Sequence, residues 1–147
     1  MHRLSSGLLI TLLLLVIVAS GCGAPRDRTG TTVAGSDAPP GSVPDIVGSY
    51  VVNGVDPLGA EYSGVLTITP GGASGEYRFE WIVTGSVQEG HGVLTGNQVE
   101  VEWKTIDAQR SQSKGQTHYT ITDVGELYGT RTVEGYAGEG REAAFPN

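Results

Sequence analysis

Two histidines and a glutamate are the residues of this chain whose types could together hold a metal ion. If the Gly96-Asn97 dipeptide turns a hairpin, His91 falls opposite Glu102, and His118 belongs to the following strand on the same face. Two imidazoles and one carboxylate suit zinc or another borderline metal. The same three residues equally describe a solvated outer face with one cross-strand His–Glu pair, contributing about 0.2–1 kcal/mol. Glu100 and Glu102 beside Glu89 admit a similar pair of readings: carboxylates for acid–base work, or the wet side of a sheet. The patterns of other chemistries are missing. There is no Gly-x-Ser-x-Gly elbow, no phosphate loop and no zinc-ligand spacing. Cys22 is the sole cysteine, so no disulfide can form within the chain. The reading is non-enzymatic, with no catalytic residue, no cofactor and no assigned metal.

Cys22 itself carries the more specific signal. A short basic start (His2, Arg3) leads into an apolar stretch from Gly7 to Val18, and Ala19-Ser20-Gly21 stand directly before the cysteine. That order is an export signal, and its small-small-Cys ending resembles the lipobox of bacterial lipoproteins. The resemblance implies cleavage before Cys22, attachment of lipid (palmitate or a similar acyl chain) to it, and anchoring to a bacterial membrane facing the periplasm or the exterior. Two alternatives stay open. One is an ordinary secretory signal with a free thiol; the other is a retained anchor, although the apolar run is shorter than the roughly 18–20 residues that span a bilayer.

Charge and composition bound the rest. Hydrophobic residues make up 38% and charged residues 17%, as in a globular chain. A formal net charge of −7 argues against nucleic acid, which is bound through basic patches. It also disfavours electrostatic attraction to anionic headgroups, so a membrane link must come from lipid on Cys22. Residues 1–21 read as the signal peptide and 22–45 as a flexible Pro/Gly/Ser linker with a span of roughly 25 Å. Residues 46–147 read as one folded domain.

From Ile46 onward the chain alternates with period 2 and shows no sustained helical spacing. Tyr77, Phe79, Trp81 and Val83 alternate with Arg78, Glu80, Ile82 and Thr84; Val99, Val101 and Trp103 alternate with Glu100, Glu102 and Lys104. Eight strands are predicted near 48–54, 61–69, 76–84, 88–95, 98–104, 116–122, 126–133 and 140–145. Gly96-Asn97 has the glycine-first order of a type II′ turn, which places Leu94 opposite Val99 and Gly90 opposite Trp103. Asp123-Val124-Gly125 predicts a three-residue loop pairing Ile121 with Leu127 and Tyr119 with Gly129. A six-residue loop at 70–75 pairs Leu66 with Phe79 and Gly64 with Trp81. Each hairpin opposes an aromatic ring with a glycine, which relieves crowding inside a tightly curved sheet. The expectation is an all-β fold: a small antiparallel up-and-down barrel of about eight strands, its interior filled by rings and aliphatics with only tyrosine hydroxyls polar.

The run from Tyr50 to Gly64 reads Tyr-x-Val-x-Gly-x-Asp-Pro-x-Gly-x-x-Tyr-x-Gly once its first two residues are counted from Tyr50 and Val52. With Tyr77-x-x-x-Trp81, Gly90-x-Gly92, Gly96-Asn97 and Val101-x-Trp103, it resembles a family of small exported bacterial β-domains often labelled fibronectin-binding. The likeness covers about residues 48–142 and departs at Ala143-Ala144-Phe145-Pro146. It implies a calycin-like barrel, similar in outline to lipocalins and avidin, and carries no functional residue over. The leading expectation is a membrane-tethered, non-enzymatic binding module that contacts an envelope or host extracellular-matrix protein through loops. The candidate loops are Thr105 to Gly115, with Arg110 and Lys114, and the acidic segment Glu134 to Gly140. The alternative is a lipocalin- or avidin-like carrier with a small apolar ligand in the barrel interior.

Overall fold

Alternation of this kind gives each strand one apolar face, and the only way to bury all eight faces without leaving an open edge is to close the sheet on itself. The computed structural model, which describes residues 30–108 and 112–147, does so. The strands are β1 (Gly48–Val55), β2 (Glu61–Pro70), β3 (Glu76–Val83), β4 (Ser86–Thr95), β5 (Gln98–Ala108), β6 (Lys114–Ile121), β7 (Leu127–Arg131) and β8 (Gly140–Pro146). Each pairs antiparallel with the next, and β8 returns to β1. The fold is the predicted all-β up-and-down barrel, and no helix occurs among the described residues.

The inward rows are those the sequence marks. Leu66, Ile68, Phe79, Trp81, Val99, Val101, Trp103, Tyr119, Ile121 and Leu127 are all buried, whereas Glu80, Glu100, Glu102 and Lys104 face outward. Burying a large apolar side chain stabilises by roughly 1.5–3 kcal/mol, so these ten hold the barrel closed. Phe79 stacks between Trp81 and Tyr119, with ring centroids 5.5 and 6.2 Å away. Glycines make room for the rings at Gly90, which pairs with Phe79 on one side and Trp103 on the other, and at Gly92, where a Cβ would stand 2.5 Å from the Phe79 ring; Gly129, paired with Tyr119, instead lets the β6 backbone approach closely. A Cβ on Gly90 would stand 2.8 Å from Val101 and 3.1 Å from the Trp81 ring. The two predicted turns are present, with Gly96 at φ 62° and Gly125 at φ 78°.

Three expectations are corrected. The β2–β3 register is two residues from the predicted one: Leu66 pairs with Trp81, Ile68 with Phe79 and Gly64 with Val83. Gly71 donates its amide to the Glu76 carbonyl at 2.7 Å, closing a shorter loop than 70–75. A two-residue slip keeps every side chain on its face, so hydrophobic patterning could not detect it. Next, most of the expected loop from Thr105 to Gly115 is strand. β5 runs on to Ala108 past a register shift opposite Val87 and Gln88, and β6 begins at Lys114; Arg110 lies outside the described residues.

The third correction concerns the linker. Residues 34–46 do not form a free tether but dock under one end of the barrel. The Ala34 and Gly35 amides donate to Glu126 Oε2 at 2.8 and 2.9 Å, and the Ala38 amide donates to the Ile121 carbonyl at 2.9 Å. Ala38 and Ile46 are buried, and Tyr50 donates its hydroxyl to the Ile46 carbonyl at 2.7 Å. The prolines that suggested a stiff spacer rest on the turns: Pro40 on Gly96 and Pro44 on Gly125. This end is capped. The opposite end, where β1 meets β2, β3 meets β4, β5 meets β6 and β7 meets β8, forms the mouth.

Candidate functional site at the barrel mouth

In β7 the inward row is Leu127, Gly129 and Arg131, and in β8 it is Gly140, Glu142 and Ala144. Gly129 pairs with Glu142 and Arg131 with Gly140, while Gly54 of β1 flanks Glu142 from the other side. A Cβ on Gly54 would strike the Tyr62 ring, and one on Gly129 or Gly140 would strike backbone of the β6 or β1 side, so the three glycines let ring and strands close tightly around the pair. Glu142 is fully buried, Arg131 is 4% exposed, and Arg131 Nη1 donates to Glu142 Oε2 at 3.0 Å.

A carboxylate in so dry a setting is stable only if charge and lone pairs are both answered. Four donors answer them. Trp81 Nε1 at 3.0 Å and the Tyr119 hydroxyl donate to Oε1; the Tyr62 hydroxyl and Arg131 donate to Oε2. This uses the full acceptor capacity of a carboxylate. Burial, then the Glu142 charge, pushes both phenols well above the usual tyrosine range, so Tyr62 and Tyr119 remain neutral donors. The Arg131 guanidinium lies over Trp103, 3.9 Å from the ring centroid, and Nη2 donates to Gln88 Oε1. A cation held over a desolvated indole is worth about 2 kcal/mol.

Above this polar floor the interior is open. A cavity of about 580 Å³ is lined by Tyr62, Gln88, Trp103, Thr105 and Arg131, and reaches the surface between the β1–β2 and β7–β8 connections. Leu58 and Tyr136 stand on its rim, 71% and 53% exposed. The expectation of a packed interior with at most a shallow depression at one end is therefore corrected: the core is packed from the capped end up to the Tyr62 and Trp103 rings, and a cavity opens beyond them at the mouth. Trp103 Nε1 is buried and has no hydrogen-bond partner in the protein.

The residues singled out for metal chemistry are not brought together. His91 pairs with Glu102 as predicted, but His118 pairs with Glu100, one outward row away, its Nδ1 3.9 Å from Glu100 Oε1. Glu89 pairs with Lys104 Nζ at 3.1 Å, so it is not a partner for the other glutamates. No group of three metal-ligating side chains occurs among the described residues. Lys114 pairs with Glu134 at 2.9 Å, and both sit on the outer wall with Glu89, His91, Glu102 and Lys104 around a depression of about 700 Å³. That groove is larger than the mouth cavity but is lined by exposed ion pairs, each worth little. Cys22 lies outside the described residues.

Arg131 and Glu142 escaped the sequence reading, although a signal was present. Counting by twos from Leu127 and back from Ala144 places both on the inward face, each beside a glycine.

No family model and no curated protein matches this sequence. Among solved structures, the chain is similar to one described as a redesigned beta barrel, mFAP1, bound to DFHBI, with a TM-score of 0.57 and 11% identity. The match covers 69% of this chain and 94% of that one. At that identity the likeness is one of fold: both are β-barrels.

Proposed function

We propose that this protein is a non-catalytic binding module of the bacterial envelope, tethered through lipid on Cys22, that takes a small ligand into the mouth of its barrel. The observation that carries the reading is the mouth itself. A cavity of about 580 Å³, lined by polar and apolar residues alike, stands over the buried Arg131–Glu142 pair and falls within the size range of ligand pockets. A barrel needing only stability would do as well with apolar residues at these two positions. The similar designed barrel was solved with DFHBI bound, which supports the capacity of such an architecture to hold a small molecule. Native mass spectrometry of the protein gently extracted from its own membranes tests the reading. A retained small molecule is expected, and it should be absent from a Val83→Trp variant whose new ring fills the mouth. Retention of the same molecule by that variant would move the site elsewhere.

A second reading, contact with an envelope or host matrix protein, is favoured by one feature of the outer wall. Val51, Val65, Ile82 and Val87 pair in sequence across β1 to β4 and form an outward apolar row. Val65 is 39% and Ile82 57% exposed. Loss of a pulled-down partner on Ile82→Asp, with the fold intact, would support it.

A further inference from the structure

Resting on the reading of Cys22 as the lipid tether, the geometry points to the surface that meets the membrane. The capped end lies against the lipid and the mouth opens away from it, so the mouth exchanges its ligand with the aqueous compartment and not with the bilayer. The strap of residues 34–46 carries this orientation, because it decides where on the barrel the tether begins. It is latched from its first residues. The Ala34 and Gly35 amides donate to Glu126 Oε2 at 2.8 and 2.9 Å, and Glu126 is only 4% exposed. The Ser36 amide donates to Asp123 Oδ1 at 3.0 Å, and the Asp123 amide donates back to the Ser36 carbonyl at 2.8 Å. The Tyr128 hydroxyl donates to Asp37 Oδ1 at 2.7 Å, and Asp37 pairs with Thr122 as an antiparallel bridge. These partners lie in or beside the β6–β7 turn, at the end opposite the mouth.

Chain length turns the latch into an orientation. With residues 34–46 free, the stretch from Gly23 to Asp45 would separate Cys22 from the barrel, an extended reach of about 80 Å. With the strap latched only Gly23 to Val33 remain, a reach of at most about 40 Å. The barrel itself is roughly 25–30 Å long, from the 11 residues of β5 at the usual strand rise and tilt. With the mouth against the lipid surface, Ala34 would stand that far above it. The tether would then have to be drawn to about two thirds of its limit, at a cost in conformational entropy. With the capped end down it needs no extension. Undocking the strap would remove this difference, since the longer tether reaches past the barrel in either pose.

The test uses the acylated protein purified from the membranes of the cells that make it and reconstituted on phosphatidylcholine vesicles carrying a trace of rhodamine-labelled lipid. A donor dye is placed on one introduced cysteine, Ser42→Cys in the strap at the capped end or Leu58→Cys on the mouth rim, both exposed positions. Flotation with the vesicles checks the tether separately from the orientation. Energy transfer to the lipid should be about twofold or more greater from Ser42→Cys than from Leu58→Cys, because the length of the barrel separates the two labels. Inserting about twenty Gly/Ser residues after Arg28 lengthens the tether and leaves the latch intact, and should bring the two efficiencies together. Equal transfer from both labels without the insertion, or greater transfer from the mouth, overturns the orientation, while flotation leaves the tether standing. A difference that the insertion does not reduce overturns the role given to the strap. A protein that does not float with the vesicles overturns the tether reading and this inference with it.

Discussion

Removing Arg131 should be among the most damaging single changes available to this fold. Arg131→Met takes away the cation and leaves the Glu142 carboxylate, with no exposed side-chain surface, without a counter-charge. Breaking a buried ion pair from one side costs about 3–5 kcal/mol, because the remaining charge is uncompensated. The charged hydrogen bond to Glu142 is worth about 1.5–3 kcal/mol, and the stacking over Trp103 at 3.9 Å adds up to about 2 kcal/mol. Glu142→Gln strands the guanidinium instead and should cost a similar amount. The double variant removes both charges while Trp81, Tyr62 and Tyr119 can still donate to the glutamine carbonyl. Its loss should therefore fall short of the two single losses combined by about 2 kcal/mol or more, within the range for contacting residues. Urea unfolding followed by tryptophan fluorescence gives all four stabilities by linear extrapolation. An Arg131→Met protein within about 1 kcal/mol of wild type, or strict additivity in the cycle, would refute the description of this pair as buried and coupled.

Other outcomes follow from the same structure. Because Tyr62 and Tyr119 titrate higher folded than unfolded, their contribution is fully present below the unfolded value near pH 10 and is lost as pH rises through the folded values. Their contribution should be flat up to about pH 10 and then fall by about 1.4 kcal/mol per pH unit for each of the two, on top of a decline from Tyr50, whose phenol burial pushes up to about 12; a Tyr119→Phe variant should show a shallower decline, and an equal slope would count against the network. Gly129→Ala should destabilise by about 1–3 kcal/mol through overpacking, since its Cβ would collide with the His118 carbonyl and approach Tyr119 Cα at 3.0 Å; thermal melts near wild type would contradict the close approach of β6 and β7. Cys22→Ser should release the protein from membrane fractions, and a variant that still sediments after peripheral proteins are stripped would sink the lipid tether.

The barrel was legible because period-2 alternation fixes which residues face inward whatever the register. Trp81, Trp103 and Tyr119 were placed correctly inside even though the β2–β3 pairing was off by two, a shift to which alternation is blind. Glycines at 90 and 129 could be matched to rings because turn chemistry at Gly96-Asn97 and Asp123-Gly125 set those registers independently. The site was not legible for a related reason. β7 is only five residues long and ends its inward row on Arg131, and β8 places Arg141 and Glu142 next to each other, so in both strands the inward face is interrupted by a charge. Arg131 and Glu142 look like surface charges until their parity relative to Leu127 and Ala144 is counted. The docked segment 34–46 was missed because its attachment is through backbone amides and two prolines, which composition reads as a spacer.

The central claim is that the barrel mouth, standing over the buried Arg131–Glu142 pair, is a ligand site, and native mass spectrometry of the protein gently extracted from its own membranes tests it most directly. The wild-type protein should retain a small molecule that a folded Val83→Trp variant, with a ring added at the mouth, has lost. Retention of the same molecule by that variant, or none by the wild type, would contradict the account.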